Sequence, residues 1–114
     1  VADTLTLLAS CLVEQGRFDE AYEEAGAAKR IYEASLPDGH WLTAVAASNE
    51  GAALTGLRRF DEAETILVGS YAVLSNDASA IPAFVEEAGQ RLVSLYEVWG
   101  KPEKAAEIMA MTKE

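Results

Sequence analysis

The 114-residue chain has little of the residue types on which site chemistry most often rests: one cysteine, one histidine and three prolines. A lone Cys11 closes no disulfide within the chain, which excludes a cross-linked secreted scaffold and makes a reducing compartment, the cytoplasm, the simpler expectation. Cys11 lies in an apolar run and is expected to be a small core residue. His40 and Cys11 cannot build a zinc site alone, so no metal is expected. The glycines are scattered and form no phosphate or dinucleotide fingerprint, so no cofactor is expected either. Bases are scarce: nine Lys and Arg stand against nineteen acids, a net charge of −10. That balance argues against nucleic acid, whose binding depends on cations neutralising phosphates, and against an anionic membrane surface. A basic or neutral partner is favoured, chiefly through its encounter rate. The longest uncharged run, Thr65–Asn76, is 12 residues, well short of the roughly 20 a membrane-spanning helix needs. No stretch has the pattern of a signal peptide, and the chain begins at Val1 rather than Met, so a fragment of a longer protein is expected.

Half the residues are apolar and a quarter charged, the balance of a folded protein. Repetition is the clearest positive signal. GRFDEA at 16–21 returns as RRFDEA at 58–63, an offset of 42 residues, and 42 further on stands GKPEKA. An apolar, helix-patterned run precedes each copy. In the first unit Leu5, Leu8, Ala9 and Leu12 recur at helical spacing, Gly16 stops the helix, and Asp19 and Glu20 open the next one. That second helix ends before Pro37, and PDGH turns into the second unit. The second unit is read as helices from Trp41 to Leu57 and from Phe60 to Leu74, the latter carrying ETILVGSYAVL, which has a strand-like composition. The third is read as a helix capped by Ser79, with Pro82 in its first turn, running to Trp99, then a helix from Pro102 to Met111. The expected fold is therefore all-α: three stacked antiparallel helix-turn-helix units, approximately 1–37, 38–78 and 79–114, in one domain. Ala9, Ala21, Ala28, Gly51 and Ala63 suit close helix contacts.

No residue set carries catalytic chemistry. His40 precedes a helix start and is expected at its boundary; no nucleophile or orienting group is paired with it in the sequence. The acid pairs at 23–24 and 86–87 read as solvated helix faces. Trp41, Trp99 and the four tyrosines read as packing residues with a polar edge. Met109 and Met111 on the last helix suggest an exposed apolar edge.

Leu8-Ala9, Leu12 and Ala21, then Gly51, Leu54, Ala63 and Leu67, then Leu92, Tyr96, Ala105 and Met109 together resemble the pattern of the tetratricopeptide repeat over nearly the whole chain. The 42-residue period and LPDGHWLTA resemble the longer kinesin-light-chain type rather than the usual repeat of about 34 residues. The second and third units are also similar to C-terminal repeat regions of bacterial serine/threonine protein kinases, although no kinase motif occurs here. Two positions depart from the pattern. Glu50 stands where a leucine is usual and needs solvent or a partner, and Arg58 stands where the turn glycine is expected, which implies a shifted or strained turn.

The resemblance implies a short right-handed superhelix and a non-catalytic module of a bacterial signalling or regulatory protein. It would bind a protein or peptide in the concave groove lined by the first helix of each unit. The matching positions are Thr6, Ser10, Val13 and Glu14; Val45, Ser48, Asn49, Ala52 and Thr55; and Glu87, Gln90, Arg91, Ser94 and Glu97. An amide such as Asn49 suits an extended peptide backbone, since it donates and accepts at once. Chaperone-binding relatives grip a carboxylate with Lys, Asn and Arg; here Asn49 and Arg91 match, but Thr6 and Glu87 hold the lysine places, so that ligand is not expected. The alternative is a structural or self-associating segment, a homodimer through the terminal helices.

Overall fold

The computed structural model describes residues 2–112. They form six helices: α1 (Ala2–Glu14), α2 (Phe18–Ser35), α3 (Trp41–Gly56), α4 (Phe60–Asn76), α5 (Pro82–Val98) and α6 (Pro102–Thr112). The second helices start at 18, 60 and 102 and the first helices end at 14, 56 and 98, so the 42-residue period of the sequence is the period of the structure. The described residues contain no strand, and ETILVGSYAVL lies inside α4. The outer limits expected for the first and third units, at positions 1 and 114, lie outside the described residues.

The recurring hexapeptide builds one turn three times. The N–H groups of Arg17, Arg59 and Lys101 donate to the carbonyls of Leu12, Leu54 and Tyr96 at 2.9, 2.9 and 2.7 Å, closing the ends of α1, α3 and α5 in the same way. This closure needs a left-handed residue one position earlier. Gly16 and Gly100 supply it at φ 78° and 81°, and Arg58 supplies it at φ 64°. The turn at Arg58 is therefore not shifted; it is kept in register by an arginine in a conformation that costs an L-residue about 1 kcal/mol. The Arg58 guanidinium lies 5.2 Å over the Phe60 ring, which offsets part of that cost.

Two layers follow. α1 and α5 each pack on α3 with close backbone approach, while α2 and α4, and α4 and α6, keep their backbones apart and meet through long side chains such as Lys104, 3.6 Å from Glu64. The first helices are thus close and the second helices splayed, and the array curves with α1, α3 and α5 on its inner side. Between the layers Leu54, Leu67, Leu92, Leu95 and Tyr96 form the central core, with Ala63 and Ala105 at the close contacts. Fully burying a leucine such as Leu67 stabilises the fold by about 1.5–3 kcal/mol. Phe60 stacks on Trp99 at 5.5 Å, so the aromatic of the hexapeptide plugs the joint to the next hairpin. Ala9, Ala21, Ala28 and Ala63 are wholly buried, as close contacts require.

Two expectations are corrected, and Glu50 has the partner its position required. Ser79 does not cap α5: its N–H is held by Asp77 Oδ1 at 2.8 Å, and the helix starts at Pro82 behind Ile81. The residue before a proline is driven out of helical geometry, which fixes that start. Cys11 is exposed rather than a core residue. Its counterparts Ala53 and Leu95 are buried against α2 and α4, but no described helix stands before α1 to cover it. Glu50 is buried yet paired, with Lys29 Nζ of α2 at 3.0 Å from its carboxylate.

Candidate functional site

The inner side of the array is a groove with α3 as floor and α1 and α5 as walls; the backbones of the two walls stay apart among the described residues. α3 runs deeper than its composition suggests. Val45, Ser48, Asn49, Ala52 and Thr55 were expected to line the groove, and all five are buried. The reason is geometric: α3 is flanked on both sides, so its groove-facing positions also serve the joints to α1 and α5. Thr55 Oγ1 turns back to the Gly51 carbonyl at 3.0 Å. Asn49 is 1% exposed, and its amide donates to the Thr6 backbone carbonyl of α1 at 3.0 Å. The pairing with peptide backbone expected of this amide is made with the chain itself, on its donor side. Its acceptor, Oδ1, is buried with no hydrogen-bond partner.

Arg91 bridges α5 to α3. Its Nη1 donates to Ser48 Oγ at 3.1 Å and its Nη2 pairs with Glu87 at 3.0 Å, leaving the side chain 12% exposed. Burial pushes its pKa down from the ordinary arginine value, while the charges of Glu87 and Glu14 pull the other way. Arg91 is therefore a strut across the groove floor.

On either side of this strut lies a pocket. The first, about 420 Å³, is lined by Asp3, Thr6, Leu7, Ser10, Tyr32, Trp41, Leu42, Val45, Asn49, Ile81, Phe84 and Glu87. Helix starts organise it: His40 Nδ1 accepts from the Leu42 N–H at 3.1 Å, so the sole histidine caps α3 and sets Trp41 in the wall. Trp41 and Phe84 face each other at 6.2 Å. Tyr32 donates its hydroxyl to Asp3; burial first, and this carboxylate second, raise the tyrosine pKa above its ordinary value. The second pocket, about 360 Å³, is lined by Val13, Phe18, Ala52, Thr55, Gly56, Arg58, Arg91, Ser94 and Val98. Phe18 lies flat against Gly56, where an added methyl would sit 2.4 Å from the ring.

Of the expected groove residues, Thr6, Ser10, Val45, Asn49 and Glu87 are thus brought together in the first pocket, and Val13, Ala52, Thr55, Arg91 and Ser94 in the second. Ser48 lies beneath the strut between them. Gln90 lies outside both, in a wider hollow of about 830 Å³ that also takes in Ser94 and opens between α4, α5 and α6 because α6 is shorter than α2 and α4. Glu14 and Glu97 are exposed and line neither pocket. Helical spacing alone missed Asp3, Leu7, Trp41, Phe84 and Arg58; stepping back three residues from Thr6 and from Glu87 reaches Asp3 and Phe84, but nothing local marks Arg58.

Among the described residues no group of three His, Cys, Asp or Glu is placed to hold a metal ion, and no helix is long and apolar enough to cross a membrane. The tetratricopeptide repeat family model matches residues 1–75. No curated protein and no solved structure matches the chain.

Proposed function

The chain belongs to the tetratricopeptide repeat family, and from that premise we propose that it is a non-catalytic interaction module holding an extended or helical segment of a partner protein in its groove. Repeats of this family generally serve protein–protein interaction. The observation that carries the groove reading is the pair of pockets flanking Arg91, which gather residues of all three first helices into one continuous inner surface. Apolar rims suit side-chain anchors, and Thr6, Ser10 and Ser94 offer hydroxyls to a passing backbone. The 42-residue period supports the kinesin-light-chain-like type. The similarity of the second and third units to repeat regions of bacterial kinases supports a cytoplasmic signalling or regulatory setting.

The test uses exposed rim residues that do not hold the fold. Random peptides are selected on the immobilised chain, and the best binder is titrated against Leu7→Ser/Val98→Ser and against Val68→Ser on the outer face of α4. Leu7 is 67% and Val98 50% exposed, one in each pocket rim. Loss of about tenfold or more in affinity is expected for the rim variant alone; equal affinity for both variants refutes the groove.

One observation favours a second reading, end-to-end association of copies. α1 exposes Thr4, Leu8 and Cys11, whose counterparts Ala46, Glu50 and Ala53 in α3, and Ala88, Leu92 and Leu95 in α5, are all buried. In the latter two helices the second helix of the preceding hairpin covers this face, and α6 of another copy is the matching element. Light scattering over a range of concentrations decides it: a mass that rises in the wild type and not in Leu8→Glu supports stacking, and a constant monomer mass rejects it.

A further inference from the structure

We propose that the pocket beneath Asp3 and Glu87 receives the guanidinium or ammonium group of an arginine or lysine side chain from the partner segment, an inference that rests on the groove reading above. Two carboxylates and no base line this pocket. Asp3 projects from the α1 wall and Glu87 from the α5 wall, so a cation between them is approached by acid from both sides. Asp3 accepts from Tyr32 through Oδ1 and Glu87 pairs with Arg91 through Oε1, and each keeps one oxygen outside those bonds. Arg91 offsets one of these negative charges, but Asp3, Glu87 and Glu14 together outnumber it.

The rest of the pocket fits the stem of such a side chain. Leu7, Val45 and Ile81 offer apolar surface for methylenes, and the Trp41 and Phe84 rings, 6.2 Å apart, offer faces to the charge. The floor residue Asn49 holds a buried acceptor, Oδ1, that lacks a donor, and a guanidinium or ammonium carries several donors and no acceptor. A neutral apolar side chain would leave the Asn49 acceptor without a donor, and an acidic one would meet two like charges in a chain of net charge −10.

The probe is a displayed library of random nonapeptides, selected on the intact chain, with enriched peptides resynthesised. The expected outcome is enrichment of Arg or Lys beside a large apolar residue. Replacing that base by citrulline or norleucine should weaken binding about tenfold, as should Asp3→Asn/Glu87→Gln, and the two losses should not add. Asp3→Asn alone keeps an acceptor for Tyr32 and should give part of the loss, with helix content checked by circular dichroism in each variant. Binders that lose affinity on Leu7→Ser/Val98→Ser but are indifferent to the carboxylate variants overturn the cation and leave the groove. Binders indifferent to both sets, or no binders, overturn both; enrichment of acidic peptides overturns the cation.

Discussion

Replacing Gly51 by alanine puts a methyl group where the α3–α4 joint has no room for it. The added Cβ would lie 2.6 Å from Leu67 Cγ and 2.7 Å from Cδ2, with Ile66 Cγ2 at 3.3 Å. Leu67 is fully buried, and Cγ is its branch point, so it cannot swing aside without moving the core around Leu54 and Leu92. Two effects oppose each other. In a helix interior alanine is favoured over glycine by about 1 kcal/mol, and overpacking a tight core costs about 1–3 kcal/mol. The expected net is a loss of about 1 kcal/mol. The diagnostic is the double-mutant cycle. Leu67→Ala alone should cost about 2–5 kcal/mol by leaving a cavity. In the double variant the new methyl meets that cavity instead of a side chain, so the combined loss should fall short of the sum by about 1 kcal/mol or more. Urea unfolding followed by circular dichroism measures all four corners, with unchanged m-values as the check on two-state behaviour. A Gly51→Ala variant more stable by the full propensity gain, or losses that add within about 0.5 kcal/mol, would refute the contact argument.

His40→Ala should cost about 1 kcal/mol by removing the acceptor for the Leu42 N–H, and His40→Asn should restore most of it. Lys29→Ala should destabilise by about 1–3 kcal/mol, because it leaves Glu50 buried and unpaired, whereas Glu50→Leu with Lys29→Met should recover much of that loss. Tyr96 is held neutral to about 12 by burial and by its 2.8 Å bond to Glu64, against an ordinary value of 10.0. The unfolded chain therefore loses this proton first, and the stability this phenol contributes is complete below pH 10 and declines between 10 and 12. Stability curves across that window should fall more steeply for the wild type than for Tyr96→Phe, and parallel curves would reject the assignment.

The period, the six helices and the turns were legible because each depends on local signals: apolar spacing, a helix-opening acid pair, and a residue that leaves the helix. Phe18, Phe60 and Pro102 each start a helix where the repeat places them. Arg58 was legible only as an anomaly. That its turn keeps register follows from the bonds of Arg58 and Arg59 to Thr55 and Leu54, which outweigh the local cost of its backbone angle. The site was less readable, because a helical face says nothing about how far neighbouring helices close over it. Asn49 and Arg91 carry hydrogen-bonding groups at groove-facing positions, yet Thr6 and Ser48 engage them from other helices. Cys11 misled for the converse reason: its run is apolar, but its partner surface is not among the described residues. The acids at Asp3 and Glu87 read separately as ordinary helix charges, and only the approach of α1 and α5 over α3 makes them two sides of one pocket.

The groove is tested most directly by mapping a selected peptide onto the isotope-labelled chain through backbone amide chemical shifts. Binding in the groove predicts that the largest changes fall on α1, α3 and α5, around Leu7, Asn49 and Glu87 near one pocket and Thr55, Ser94 and Val98 near the other. Changes centred on the outer faces of α2, α4 and α6, with the inner helices unmoved, would contradict it.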